Sequence, residues 1–137
     1  MVAILKDETA PITTSGDIVK VRQRVRELTL SLGFSLVEQT KMVTAASELA
    51  RNALDHGGGG KVQLQVLNND MRRGLKLTFI DEGPGIQDLE QALRDGFSTG
   101  NGMGLGLSGA KRLANEFEIE SAPGKGTKVM ITRWRNA

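Results

Sequence analysis

Glu48 and Asn52 stand four residues apart in the run Ser47-Glu48-Leu49-Ala50-Arg51-Asn52, a spacing that on a helix sets both side chains on one face. A carboxylate there can take up a proton as a general base, and the neighbouring amide oxygen can ligate Mg²⁺. Alone, the pair reads more readily as an exposed polar helix face. A second signal, Asp81-Glu82-Gly83-Pro84-Gly85, follows an apolar strand end at Phe79 and Ile80. An Asp so placed can accept a proton from the exocyclic amino group of adenine, while glycines let backbone and water approach a base; D-x-G-x-G is also a common turn.

The third signal is Gly100-Asn101-Gly102-Met103-Gly104-Leu105-Gly106-Leu107, which leads into a helical pattern. Unhindered backbone N–H groups there can converge on phosphates at the positive end of the helix dipole. No Gly-Lys-Ser/Thr follows, so this is not a Walker A loop. The glycines at 102, 104 and 106 fall at every second position, so a dinucleotide fingerprint fails as well. The fourth signal, Gly124-Lys125-Gly126-Thr127, would by itself be an ordinary hairpin turn.

The elements that must position these residues are legible in part. Val2 to Leu5 and Ile12 to Thr14 read as short strands separated by Pro11. Ile18, Val21, Val25, Leu28 and Leu32 recur at helical steps, with Ser15 or Asp17 as the cap and Gly33 as the stop. Ser35 and Glu38 have capping-box spacing and start a second helix that runs to about His56, carrying Val43, Ala46, Leu49, Ala50, Ala53 and Leu54. Gly57 to Gly60 end it. Val62 to Leu67 and Leu75 to Ile80 form a hairpin about the polar turn from Asn68 to Arg73, and a short helix is expected from Asp88 to Arg94. Leu107, Ala110, Leu113, Ala114 and Phe117 mark a last helix, and strands Phe117 to Ser121 and Lys128 to Arg133 close the chain around Pro123-Gly124-Lys125-Gly126. Helices mixed with hairpin-connected strands predict an α+β two-layer sandwich with helices on one face of a mixed sheet, in one domain over 1–137.

Composition narrows the function classes. The 137 residues include 39% apolar and 25% charged side chains with a net charge of +2, the profile of a soluble globular chain with no strong basic field for nucleic acid. Arg133 and Arg135 about Trp134 are the densest basic cluster, a candidate phosphate-binding tail or simply a solvated end. There is no cysteine and only one histidine, which excludes disulfides, thiolate metal sites and a zinc site. The first ten residues carry Lys6, Asp7 and Glu8 after four apolar residues, neither a leader nor a membrane span, so a cytoplasmic location is expected.

In order and spacing, Glu48 to Asn52, Asp81 to Gly85, Gly102 to Gly106 and Gly124 to Thr127 resemble the N, G1 and G2 boxes and closing Gly-x-Gly-Thr of the GHKL superfamily, whose ATP-binding fold is the Bergerat sandwich. Ser47 to Asn52, Asp95-Gly96-Phe97-Ser98-Thr99, and Lys111-Arg112-Leu113 with Glu116-Phe117 are similar to the RsbT-type switch kinases of stressosome modules, within the wider family of anti-sigma regulatory factors. The resemblance spans about Ile12 to Arg133. It departs at the four glycines from Gly57 to Gly60 and at Asp55-His56, which look more like the broader anti-sigma kinases. His56 there either approaches the phosphates or ends the helix.

The resemblance implies that Asp81 holds the adenine amino group, that Gly83, Gly85 and Thr127 support the base, that Asn52 binds Mg²⁺ and that Glu48 is the catalytic base. Gly102, Met103, Gly104, Leu105 and Gly106 would form a lid over the phosphates, with Ser98, Thr99 and Lys111 as neighbours, and the lid from Gly96 to Gly106 is expected to order around nucleotide. ATP and Mg²⁺ are the implied cofactors. The implied partners are a STAS-domain antagonist, phosphorylated on Ser or Thr, and then a phosphatase or other sigma-factor-pathway protein. An anti-sigma factor that sequesters a sigma factor and a non-catalytic ATP-gated docking module are the alternatives.

Overall fold

The computed structural model describes residues 2–94 and 106–135. Strand β1 (Val2–Ile12) leads to helices α1 (Ser15–Ser31) and α2 (Leu36–Asp55), the hairpin β2 (Gly60–Asn69) and β3 (Arg72–Asp81), the single turn α3 (Leu89–Ala92), helix α4 (Gly106–Leu113), and the hairpin β4 (Glu116–Ser121) and β5 (Thr127–Trp134). The strands form one sheet in the order β1-β2-β3-β5-β4. Every pairing in it is antiparallel, so the sheet is not the mixed one expected, although the α+β two-layer architecture is as read. Neighbouring strands that are close in sequence join by tight turns, and β5 inserts between β3 and β4 without needing a parallel crossover.

Both long helices begin at side-chain caps. Thr14, in extended conformation, accepts from Asp17 N at 3.2 Å while the Asp17 carboxylate accepts from Thr14 N at 3.1 Å. Thr14 is therefore the cap, with Asp17 as its reciprocal partner, and not the end of a strand. Pro11 does not split β1 either: β1 lies at the sheet edge, where a missing N–H leaves no ladder bond broken. At the other end of α1, Gly33 N bonds Leu30 O and Phe34 N bonds Thr29 O, with Gly33 at φ +81°, a Schellman stop that needs a left-handed residue. Ser35 and Glu38 cap α2 as their spacing predicted.

The core lies between the helices and one sheet face: Ile18, Val21, Val25 and Leu28 of α1 and Met42, Ala46 and Leu49 of α2 pack over Val62, Leu64, Leu75, Leu77, Phe79 and Ile131. Glu8 on β1 and Arg24 on α1 join the two layers through a two-pronged ion pair. The Arg24 guanidinium holds the Glu8 carboxyl below the usual range against the opposing effect of desolvation, and hydrogen bonds from Thr13 do the same for Asp17. A depressed folded pKa means stability that is complete above the ordinary carboxylate range and lost as pH falls through the folded value. We expect Tm to fall as the pH is lowered from about 5 toward 2, and the slope to flatten in Glu8→Gln.

Arg133 and Trp134 of the basic C-terminal cluster prove structural, while Arg135 is exposed. Arg133 is buried, with Nη1 donating to Leu113 O at 2.9 Å and Nε 3.9 Å from Glu38 Oε2, so one guanidinium joins β5, the start of α2 and the last residue of α4. Trp134 occupies the opposite sheet face above Gly74, where a β-carbon would come within 2.7 Å of the indole; Trp134 Nε1 donates to Glu116 and the Arg72 guanidinium stacks 4.9 Å from the ring. Removing one member of a buried ion pair strands the other. Arg133→Met is therefore expected to cost about 3 kcal/mol in denaturant unfolding, and adding Glu38→Gln to recover part of that loss.

Candidate functional site

A cavity of about 410 Å³ opens between α2, the β3 end, the 84–88 loop and the start of α4. Its volume is that of a site for a small organic ligand. Leu49, Phe79, Ile86, Leu107 and Val129 give it apolar walls, while Glu48, Asn52, Asp81 and Thr127 bring polar groups to it from three elements. Glu48, only 8% exposed, and Asn52 both face this space, so the helix face that could have been an ordinary solvated one is turned inward.

Asp81 sits where β3 ends between Gly60 of β2 and Thr127 of β5. Its Oδ1 accepts from Gly83 N at 3.0 Å; no other hydrogen bond engages the carboxylate among the described residues, which leaves Oδ2 to receive a donor from the cavity. Gly57, read from sequence only as part of a helix stop, has a more specific role. A β-carbon on it would lie 2.3 Å from Asp81 Cγ, so the end of α2 can pack on this carboxylate only through glycine. Gly83 stands behind the wall in the same contact, where a β-carbon would meet Gly57 Cα at 2.6 Å.

The G1-like loop and the closing hairpin are fastened together by Ser121, a residue that sequence reading did not single out. Its hydroxyl donates to Gly126 O at 2.8 Å and accepts from Ile86 N at 2.9 Å. With that proton committed, the 2.9 Å contact to Thr127 Oγ1 runs from Thr127 to Ser121, so Thr127 keeps its lone pairs for a ligand or water. Gly85, at φ +78°, would place a β-carbon 2.0 Å from Ala122 O. A serine before a glycine-rich turn carries no sequence signal for such a role, because its partners are remote or come from the turn's own backbone.

Gly106 lines the cavity at the start of α4, whereas Lys111 lies exposed on α4 and does not line it. Ser98, Thr99, Gly102, Met103, Gly104 and Leu105, with the lid expectation up to residue 105, lie outside the described residues. His56 ends α2 as its C-cap and also borders the cavity.

Residues 37–136 match the family model described as "Histidine kinase-, DNA gyrase B-, and HSP90-like ATPase". The chain belongs to this ATPase family. Within it, the chain is 42% identical to the serine/threonine-protein kinase RsbT of Bacillus subtilis, over 90% of this chain and 92% of the relative. It is 34% identical to an anti-sigma F factor of a Thermoanaerobacter species, over 73% of each chain. The fold is shared with the RsbU and RsbW domains of a Mycobacterium tuberculosis protein, with a TM-score of 0.66 and 22% identity over 96% of this chain and 34% of that one. It also resembles a chain of the SiaB-SiaC complex of Pseudomonas aeruginosa, with a TM-score of 0.54 and 13% identity over 96% of this chain and 90% of that one. Membership of this family implies that the chain uses ATP. Among the described residues no helix is long and apolar enough to cross a membrane.

Proposed function

We propose that this ATPase-family protein is a cytoplasmic serine/threonine kinase that transfers the γ-phosphoryl group of ATP to a hydroxyl of a STAS-domain antagonist protein, and afterwards engages a phosphatase or other partner of the same switch. What carries this reading is the buried Glu48 carboxylate sharing one cavity with Asn52 and Asp81. The 42% identity to RsbT over nearly the whole chain supports it. A site that only bound nucleotide would have no use for a carboxylate beside its amide.

In the proposed reaction Asp81 Oδ2 accepts from the adenine amino group, Thr127 and Gly85 support the base, and Leu49, Phe79 and Ile86 exclude water from it. The lid backbone of residues 102–106 donates to the phosphates. Glu48 takes the proton from the substrate hydroxyl, whose oxygen bonds to the γ-phosphorus as the bond to the β,γ-bridging oxygen breaks, giving ADP and a phosphoprotein. No group of three or more His, Cys, Asp or Glu side chains that could hold a metal occurs among the described residues. The single amide oxygen of Asn52 suits a cation that completes its shell with substrate phosphates and water, as Mg²⁺ does. Bound there, Mg²⁺ would neutralise phosphate charge. A new phosphate on the substrate would then weaken its packed interface with the kinase by repulsion and desolvation.

The 34% identity to an anti-sigma F factor favours a second reading, in which sequestering a sigma factor is the main act. Incubation with Mg²⁺, γ-labelled ATP and a STAS-domain protein separates the two. Label on the STAS protein supports the kinase; no transfer, with a sigma factor tightly held, supports the other.

A further inference from the structure

A second hollow, of about 220 Å³, continues the seam between α2 and α4 beyond the nucleotide cavity. Thr40, Lys41 and Thr44 of α2 form one side, and Gly109, Arg112 and Leu113 of α4 form the other. The two hollows share both helices. Thr40, Thr44, Glu48 and Asn52 succeed one another at four-residue steps along one stripe of α2, while on α4 Gly106 and Leu107 wall the first hollow and Gly109, Arg112 and Leu113 the second.

Lys41 is half-buried, and neither a hydrogen bond nor an ion pair engages its ammonium among the described residues. Its stem lies along the groove, and the ammonium at the end of that stem is available to an incoming anion. The nearby hydroxyl of Thr40 already donates to Leu36 O at 2.9 Å, so the groove offers cationic and aliphatic surface rather than free hydroxyl donors at that point. Arg112 adds a second positive charge to the rim.

We infer that this groove docks the acceptor segment of the protein substrate, with an acidic side chain set against Lys41 and an apolar one on the groove floor. The inference rests on the kinase reading for its geometry. Lys41 precedes Glu48 by seven residues, a rise of about 10 Å along the helix. A substrate that presents its hydroxyl to Glu48 therefore places its acidic group on the order of 10 Å from that hydroxyl. Lys41 is a specificity-determining residue for the protein substrate and has no role toward nucleotide.

The test compares wild type, Lys41→Glu, Lys41→Met and Lys41→Arg. It uses the STAS-domain protein of the transfer assay, with binding by calorimetry at two salt concentrations and transfer kinetics measured separately. Lys41→Glu is expected to weaken the complex and raise KM for the STAS protein at least about tenfold, Lys41→Met less, and Lys41→Arg hardly at all; the difference should shrink as salt screens the contact. Unchanged ATP affinity certifies the fold of each variant. Replacing the acidic residue of the substrate by Lys should restore binding to Lys41→Glu. Equal affinity of wild type and Lys41→Glu for the STAS protein overturns the inference. If wild type binds the STAS protein but never labels it, the kinase reading fails, and the binding comparison still decides whether Lys41 docks that partner.

Discussion

Glu48→Gln is expected to abolish most phosphoryl transfer to the STAS-domain protein while leaving ATP binding in place. The substitution keeps the size and shape of a side chain that is 8% exposed, so it opens no cavity, and the amide cannot take up the hydroxyl proton. General-base catalysis contributes about 10²- to 10⁴-fold, and the rate should fall by that factor with little change in KM for ATP. Single-turnover transfer of γ-label beside nucleotide calorimetry reads both quantities. Full turnover in Glu48→Gln would remove the carboxylate from the mechanism and leave positioning alone to explain any transfer.

Asp81→Asn should fail at the earlier step. Oδ1 of the amide can still accept from Gly83 N, so the turn survives, but the second position then offers an N–H where the adenine amino group also donates. Losing a charge-assisted hydrogen bond, and burying two donors against each other, costs about 2 to 3 kcal/mol, or roughly 30- to 150-fold in Kd. Guanine nucleotides, which carry an acceptor at that ring position, should lose less or gain. Gly57→Ala is the companion variant: its β-carbon would displace the Asp81 carboxylate without altering its chemistry. A Kd for ATP that moves in neither variant would mean that the base is held elsewhere.

These two expectations depend on different layers of information. Three of the polar signals were legible because each is local: a four-residue helix spacing, a glycine turn after an apolar strand, and a glycine turn within a hairpin; the glycine run before α4 lies mostly outside the described residues. The helices were legible too, since the Ser35–Glu38 cap and the Gly33 stop involve groups within a few residues of one another. The start of α1 was misread by one to three positions because Thr14, Ser15 and Asp17 are all competent caps, and only the backbone entering from β1 selects Thr14. Phe117, counted both with the last helix and as the start of the closing hairpin, belongs to β4, where pairing with Ile131 outweighs its helical spacing from Leu113.

By itself, then, the sequence determined the chemical inventory, the order of elements and the two-layer architecture, because periodicity and turn chemistry act over a few residues. Only the tertiary structure decided which face of α2 turns inward, that Gly57 makes room for Asp81, that Ser121 ties two loops into one wall, and that Arg133 is a buried strut rather than a phosphate-binding tail. Sheet order belongs to that second group, since β5 settles between β3 and β4 through pairings as far apart along the chain as Gly74 and Trp134. Such contacts form between segments whose separation along the chain carries no local signature, and their partners become definite only when the helices and sheet bury a common core.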